Sequence, residues 1–125
     1  MSKKSKNNYK WLFVLGILLE LLAIIYFALP LLLNTPAAFI VIKSDSMLPV
    51  LEKGDVIVVS GIDKHPNSFE NEIIAFYDPT QGKIIVHRAI GMNKNCLITK
   101  GDNADMIDFF NPCKEYVLGR VVMKV

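Results

Sequence analysis

The feature that most limits what this chain can fold into is the 23-residue run Trp11 to Leu33, WLFVLGILLELLAIIYFALPLLL, which carries one charge, Glu20. At about 1.5 Å rise per residue, a helix of this length spans a hydrocarbon core of about 30 Å with some tilt. A cleaved leader has a shorter apolar core, about 7–15 residues, followed by a small-residue cleavage site. Here Ala37 and Ala38 beside Pro36 imitate such a site poorly. The run is expected to stay as an uncleaved anchor.

Charge placement gives an orientation. Lys3, Lys4, Lys6 and Lys10 precede the run with no acid among them, whereas the residues beyond it carry ten basic against eleven acidic side chains. The positive-inside bias puts the N-terminus in the cytoplasm. Three parts follow: a cytoplasmic basic tail over 1–10, a transmembrane anchor over 11–33, and an extracytoplasmic (or lumenal) domain over 34–125. The formal net charge of +2 is then a topology signal. No basic, aromatic-interleaved patch points to nucleic acid. An intramembrane carboxylate is costly, so Glu20 is expected to be protonated, facing a membrane partner helix or a water defect. Pro30 lies near the outer end, where a kink is tolerable.

Beyond the linker at Asn34 to Ala38 the chain turns β-rich, with runs Ala38–Lys43, Asp55–Ser60, Glu72–Tyr77, Lys83–Met92, Cys96–Lys100 and Tyr116–Val125. Val and Ile dominate them, and turn residues such as Gly54, Asp78-Pro79, Gly82 and Gly101 separate them. The expected fold is all-β: a compact mixed sheet or barrel-like domain with irregular loops at 61–71 and 103–115. The residues past the anchor suffice for a modest core. Cys96 and Cys113 lack the spacing of a metal site and allow one internal bridge. In an oxidising compartment that bridge would close a loop holding Asp102 and Asp108; the other reading is two buried thiols. No cofactor and no metal is expected.

The chemistry concentrates where the chain leaves the anchor. KSDSMLPVLEKGD places Ser44 and Ser46 just beyond the apolar run. A serine hydroxyl is a weak nucleophile and needs a base within hydrogen-bond reach. Of the two histidines, His65 sits before Pro66 in a turn-like segment, and His87 sits in the β-rich run IVHRAIG.

Ser46-Met47-Leu48-Pro49, then Gly54-Asp55, then Val86-His87-Arg88, then TKGDNADMID ending at Asp108, resemble in order and spacing the boxes of type I signal peptidases. Histidine rather than lysine before the arginine is similar to the endoplasmic-reticulum and archaeal type, and to its minority Gram-positive form. Departures are Asp45, where the family often has glycine, and Val50, where a small residue is usual. The resemblance implies a membrane-anchored serine endopeptidase that removes signal peptides from translocated precursors. Ser46 would be the nucleophile, His87 the base and Asp108 its support. Asp102 is a second candidate for that support, and the division between the two acids stays open. Ser44 would supply a hydroxyl to the oxyanion alongside the Ser46 N–H. Arg88 is expected to pair with an acid, Asp105 to be solvated, and Met47 to pack against apolar neighbours or lipid.

The implied partners are signal-peptide-bearing precursors with small residues at −1 and −3, and the lipid bilayer. An extended substrate would add beside an exposed strand edge. Self-cleaving repressors share a related serine box, but they use a lysine base and lack an anchor. From another class, a catalytically silent, membrane-anchored binding or assembly module is the alternative.

Overall fold

The computed structural model describes residues 3–125; Met1 and Ser2 of the basic tail lie outside the described residues. It divides into two compact units, one ending at Leu32 and the other over residues 33–125. The first is one helix, α1 (Lys3–Leu32). It starts within the expected basic tail rather than at Trp11, since no proline or glycine lies between Lys3 and Trp11 to stop it. Within it, Asn8–Leu32 is long and apolar enough to cross a membrane. Its apolar side chains, from Trp11 to Phe27, are almost all exposed, the pattern of a helix made for an apolar solvent. Pro30 falls in the last turn.

The second unit is an all-β domain of six strands: β1 (Phe39–Val41), β2 (Val56–Ser60), β3 (Ile73–Asp78), β4 (Lys83–Asn93), β5 (Cys96–Lys100) and β6 (Val117–Lys124). They form one sheet in the order β1-β2-β6-β3-β4-β5, and every pairing is antiparallel. Strand boundaries fall within a residue or two of the β-rich runs read from the sequence. The two expected irregular loops contain short 3-10 turns at Pro66–Phe69 and Lys114–Tyr116.

β3 is buried on both faces. Ile74 and Phe76 join Phe69, Ala89, Leu97 and Val117 in one apolar cluster, while Ala75 joins Ile42, Met47, Leu51, Ile57 and Val59 in the other. Strand alternation explains the split, because neighbouring residues point to opposite faces. The hairpin from β3 to β4 fixes the register that aims His87. Asp78 pairs with Lys83 at its base, and His87 lies opposite Ile74. Burial alone would raise the Asp78 carboxyl, but bonds from the hydroxyl, amide and side-chain groups of Thr80 and Gln81 outweigh it and hold the group below its ordinary value.

The sheet does not close. The outer edge of β1 is unpaired, and β5 covers β4 only from Arg88 onward. Residues 37–43 and 83–87 face each other across a groove of about 600 Å³. The gap lies between two free strand edges.

At Gly119, φ is +152° and an added Cβ would collide with the backbone carbonyl of Ser60, where β6 crosses β2. Gly119→Ala should therefore lower the stability of the domain by about 1–3 kcal/mol or more. A drop in the urea midpoint with unchanged slope would show it; an unchanged midpoint would mean that the β2–β6 crossing is looser than described.

Candidate active site

Three segments build the site. The first leaves β1. Ile42 is buried and exchanges backbone bonds with Asp55 (2.8 Å) and Gly54 (2.9 Å). Met47 is 1% exposed, in the core. The chain between these two apolar anchors must bulge outward, leaving Ser44 and Asp45 exposed and Ser46 half-buried. Met47 thus packs in the protein interior, one of the two placements expected of it. Asp45 turns to solvent and lies 3.5 Å from Lys53.

The second segment is β4, whose alternation sends His87 and Arg88 to opposite faces. The third is the loop after β5. Gly101 is buried against the serine turn, where an added Cβ would lie 2.6 Å from the Ser46 carbonyl and 3.2 Å from His87 Nε2. Only glycine lets the two backbones come this close. Asn103 donates its N–H to the Ser46 carbonyl (2.8 Å) and its side-chain amide to the Asp45 carbonyl (3.0 Å).

These segments bring Ser46, His87 and Asp108 into one line. Ser46 Oγ lies 3.0 Å from His87 Nε2, and His87 Nδ1 lies 2.5 Å from Asp108 Oδ2. The histidine and aspartate side chains are 14% and 23% exposed, so solvent screens the pair only in part. Thr99, fully buried, donates its hydroxyl to the same carboxylate oxygen at 2.7 Å, and the Asp108 N–H donates to the Thr99 carbonyl at 2.7 Å. A hydroxyl, an imidazole and a carboxylate in this order allow the imidazole to take a hydroxyl proton on one nitrogen while the carboxylate holds the other. The Ser44 hydroxyl sits 3.0 Å from Ser46 Oγ and 3.5 Å from the Ser46 nitrogen.

Asp102 is placed elsewhere. Arg88 grips it in a fork, Nε to Oδ1 at 2.9 Å and Nη2 to Oδ2 at 2.8 Å, and donates Nη1 to the Asn71 carbonyl at 2.8 Å. The hydrogen bond from Arg88 holds the Asp102 carboxyl below its ordinary range against an opposing burial effect, and raises the guanidinium in turn. Asp105 is exposed, as is His65. Thr99, Gly101 and Asn103 touch the site without having been singled out by chemistry in the sequence. Gly101 and Asn103 flank Asp102 in the GDN stretch, and that adjacency was the available signal. Thr99 carried none, because a threonine in a strand is ordinarily packing.

No protein-family model matches the chain. Over 98 residues it is 30% identical to the protein named signal peptidase complex catalytic subunit SEC11 of Yarrowia lipolytica, an alignment covering 74% of this chain and 56% of that protein. The chain therefore spans little more than half the length of the curated relative it matches. That similarity supports the kinship of this chain with the type I signal peptidases of the endoplasmic-reticulum type.

Proposed function

We propose that this chain is a membrane-anchored serine endopeptidase that removes signal peptides from translocated precursors. The observation that carries the reading is the Ser46–His87–Asp108 line at one end of the groove between β1 and β4. In the proposed reaction Ser46 Oγ attacks the scissile carbonyl as His87 Nε2 takes its proton. His87 then passes that proton to the leaving amine. Asp108 keeps the imidazole in the productive tautomer and stabilises its charged form. Water next attacks the acyl carbon as His87 takes its proton, and His87 returns that proton to Ser46 Oγ as the Ser46–acyl bond breaks and the acyl group leaves as a carboxylic acid. The Ser46 N–H and a rotated Ser44 hydroxyl face the developing oxyanion. Asp102 supports the site at one remove, by tying Arg88 to the loop that holds Asn103.

The groove suits an extended peptide. Its walls are two unpaired strand edges whose backbone groups need partners, and its floor is apolar, with Ile42 and Val86 beside Ser46 and His87. A substrate strand laid between β1 and β4 gains backbone bonds from both. Small residues at −1 and −3 follow from the resemblance.

For the membrane arrangement, we place the lysine-rich end in the cytoplasm and the β-domain outside. Support comes from the lysines before the apolar stretch and from a helix long enough to cross once. Glu20 then lies within the span and faces a partner helix, where its carboxyl finds a polar neighbour. No observation favours the catalytically silent module.

Three results would test this reading. Ser46→Ala and His87→Ala should each reduce cleavage of a signal-peptide substrate in detergent by about a thousandfold or more, with the double variant hardly worse than either. A His87→Ala protein with near-native turnover would sink the assignment.

The two aspartates should separate. Asp108→Asn should lower kcat by about 10²–10⁴-fold, and Asp105→Asn should leave it within a factor of two. Asp102→Asn should act mainly on stability. Its folded-state pKa is depressed, so its contribution is present above the ordinary carboxylate range, about pH 4, and is lost as pH falls through the lower folded value. Urea unfolding from pH 7 to pH 2 should show a flatter acid slope for Asp102→Asn than for the unaltered protein. An activity loss in Asp102→Asn as deep as in Asp108→Asn, with stability unchanged, would reverse the two roles.

In sealed membranes of known sidedness, protease on the non-cytoplasmic face should digest residues 34–125 and spare the lysines at 3–10. Protection of the β-domain in that assay would overturn the orientation.

A further inference from the structure

The loop that carries Asp108 is long, and beyond Asp108 its packing rests on the buried Pro112 and on Phe110. Between the end of β5 at Lys100 and the start of β6 at Val117 it has no strand of its own. Its tip turns apolar side chains outward: Met106 is 79% exposed and Phe109 is fully exposed. Phe110 is the aromatic anchor, packing on Phe76 and edge-on against Tyr116.

The first half of the loop is tied to Arg88 through Asp102 and to the serine turn through Asn103; its return limb runs back antiparallel along the free edge of β5. Two backbone bonds fasten it: Asp108 N–H to the Thr99 carbonyl, and Leu97 N–H to the Pro112 carbonyl at 2.8 Å. At the far end Cys96 and Cys113 form a bridge partnership in the same ladder and are joined by a disulfide. Both cysteines are half-buried, within reach of a soluble thiol. The crosslink thus clamps one end of a short ladder whose other end is the residue that meets His87.

We propose that the Cys96–Cys113 disulfide is a positioning device for Asp108, and that it makes the activity of this chain dependent on an oxidising compartment. This rests on the reading of Asp108 as the support of His87. A dithiol reductant delivers two electrons and two protons to the bridge, leaves Cys96 and Cys113 as thiols, and itself becomes a disulfide. With the bridge open, two backbone bonds, the Thr99 hydroxyl on the Asp108 carboxylate, the buried Pro112 and the Phe110 contacts are left to hold the limb, and a short limb at a sheet edge can open locally without global unfolding. Asp108 then loses its fixed place beside His87 Nδ1, while Ser46, held by Met47 and Asn103, keeps its own. Misplacing a group by about 1 Å costs on the order of a hundredfold in rate. Before its domain reaches the oxidising side, the chain would be folded but nearly silent.

The test uses the full chain in detergent, reduced with a membrane-permeant dithiol and compared with the oxidised protein, thiol titration confirming two free thiols. Reduction should lower kcat by tenfold or more, leave KM within twofold and keep the far-UV circular dichroism of the sheet. It should also remove the low-field proton resonance of His87 Nδ1–H bonded to a carboxylate. Re-closing the reduced pair with a one-carbon thioether should restore turnover in the presence of reductant. In Asp108→Asn, reduction should leave the residual turnover unchanged, because the group it displaces is already disabled.

Full kcat in the reduced protein would overturn the proposal, as would an equal loss on reduction in Asp108→Asn. Loss of the sheet signal on reduction would overturn it too, by making the bridge a general stabiliser. Near-native kcat in oxidised Asp108→Asn would instead defeat the assignment of Asp108 itself.

Discussion

The burial of β3 on both faces is the constraint on which the domain depends. A strand with Ile74 and Phe76 on one side and Ala75 on the other needs apolar cover above and below, and the two clusters supply it. β6 and β4 must then flank it, and the β3–β4 register sets which residue of β4 stands at each height. His87 is aimed by that register. Met47 belongs to the cluster on the Ala75 face, so the serine turn is fastened to the same core as the central strand. Ser46 and His87, 41 residues apart in sequence, are in effect two attachments to one packed layer.

Much of this was legible in the sequence, for physical reasons that can be named. The strands follow from β-branched runs punctuated by Gly, Pro, Asn and Asp, and the apolar helix from a run too long and too uncharged for a domain this small to bury. What the sequence left open turned on long-range pairing. Asp102 and Asp108 looked equivalent as carboxylates within one loop. They differ because His87 and Arg88 are neighbours in a strand and face opposite ways, so an acid that meets one does not meet the other. Once the loop wraps over β4, Asp102 falls to Arg88 and Asp108 to His87. The cysteines were undecided for a similar reason. Their approach depends on a return limb pairing with β5, and no local pattern announces it.

Thr99 shows a different gap. It is a strand residue with no exposed surface, and its hydroxyl has one job, to donate to the Asp108 carboxylate. A buried hydroxyl without a partner would cost about 1–3 kcal/mol, so the carboxylate satisfies the threonine as much as the threonine steadies the carboxylate. Charge and polarity at this site are balanced pairwise, Arg88 with Asp102 and Thr99 with Asp108. Among the described residues no buried polar side-chain atom lacks a partner.

The unclosed seam between β1 and β4 has a consequence for the molecule when it is not at work. Two bare strand edges are an invitation to any extended chain, including a second copy of the same domain. Lys43 and Lys83 stand along this seam, and lysine is a common guard of exposed edges because its charge repels another copy carrying the same residue. A cleft that recognises backbone also reads every peptide alike. In the proposed reaction, selectivity must therefore come from the side chains that line the groove beside Ser46 and from which chains are delivered there, and the cleaved product, being equally extended, has to be drawn away before the next chain can enter.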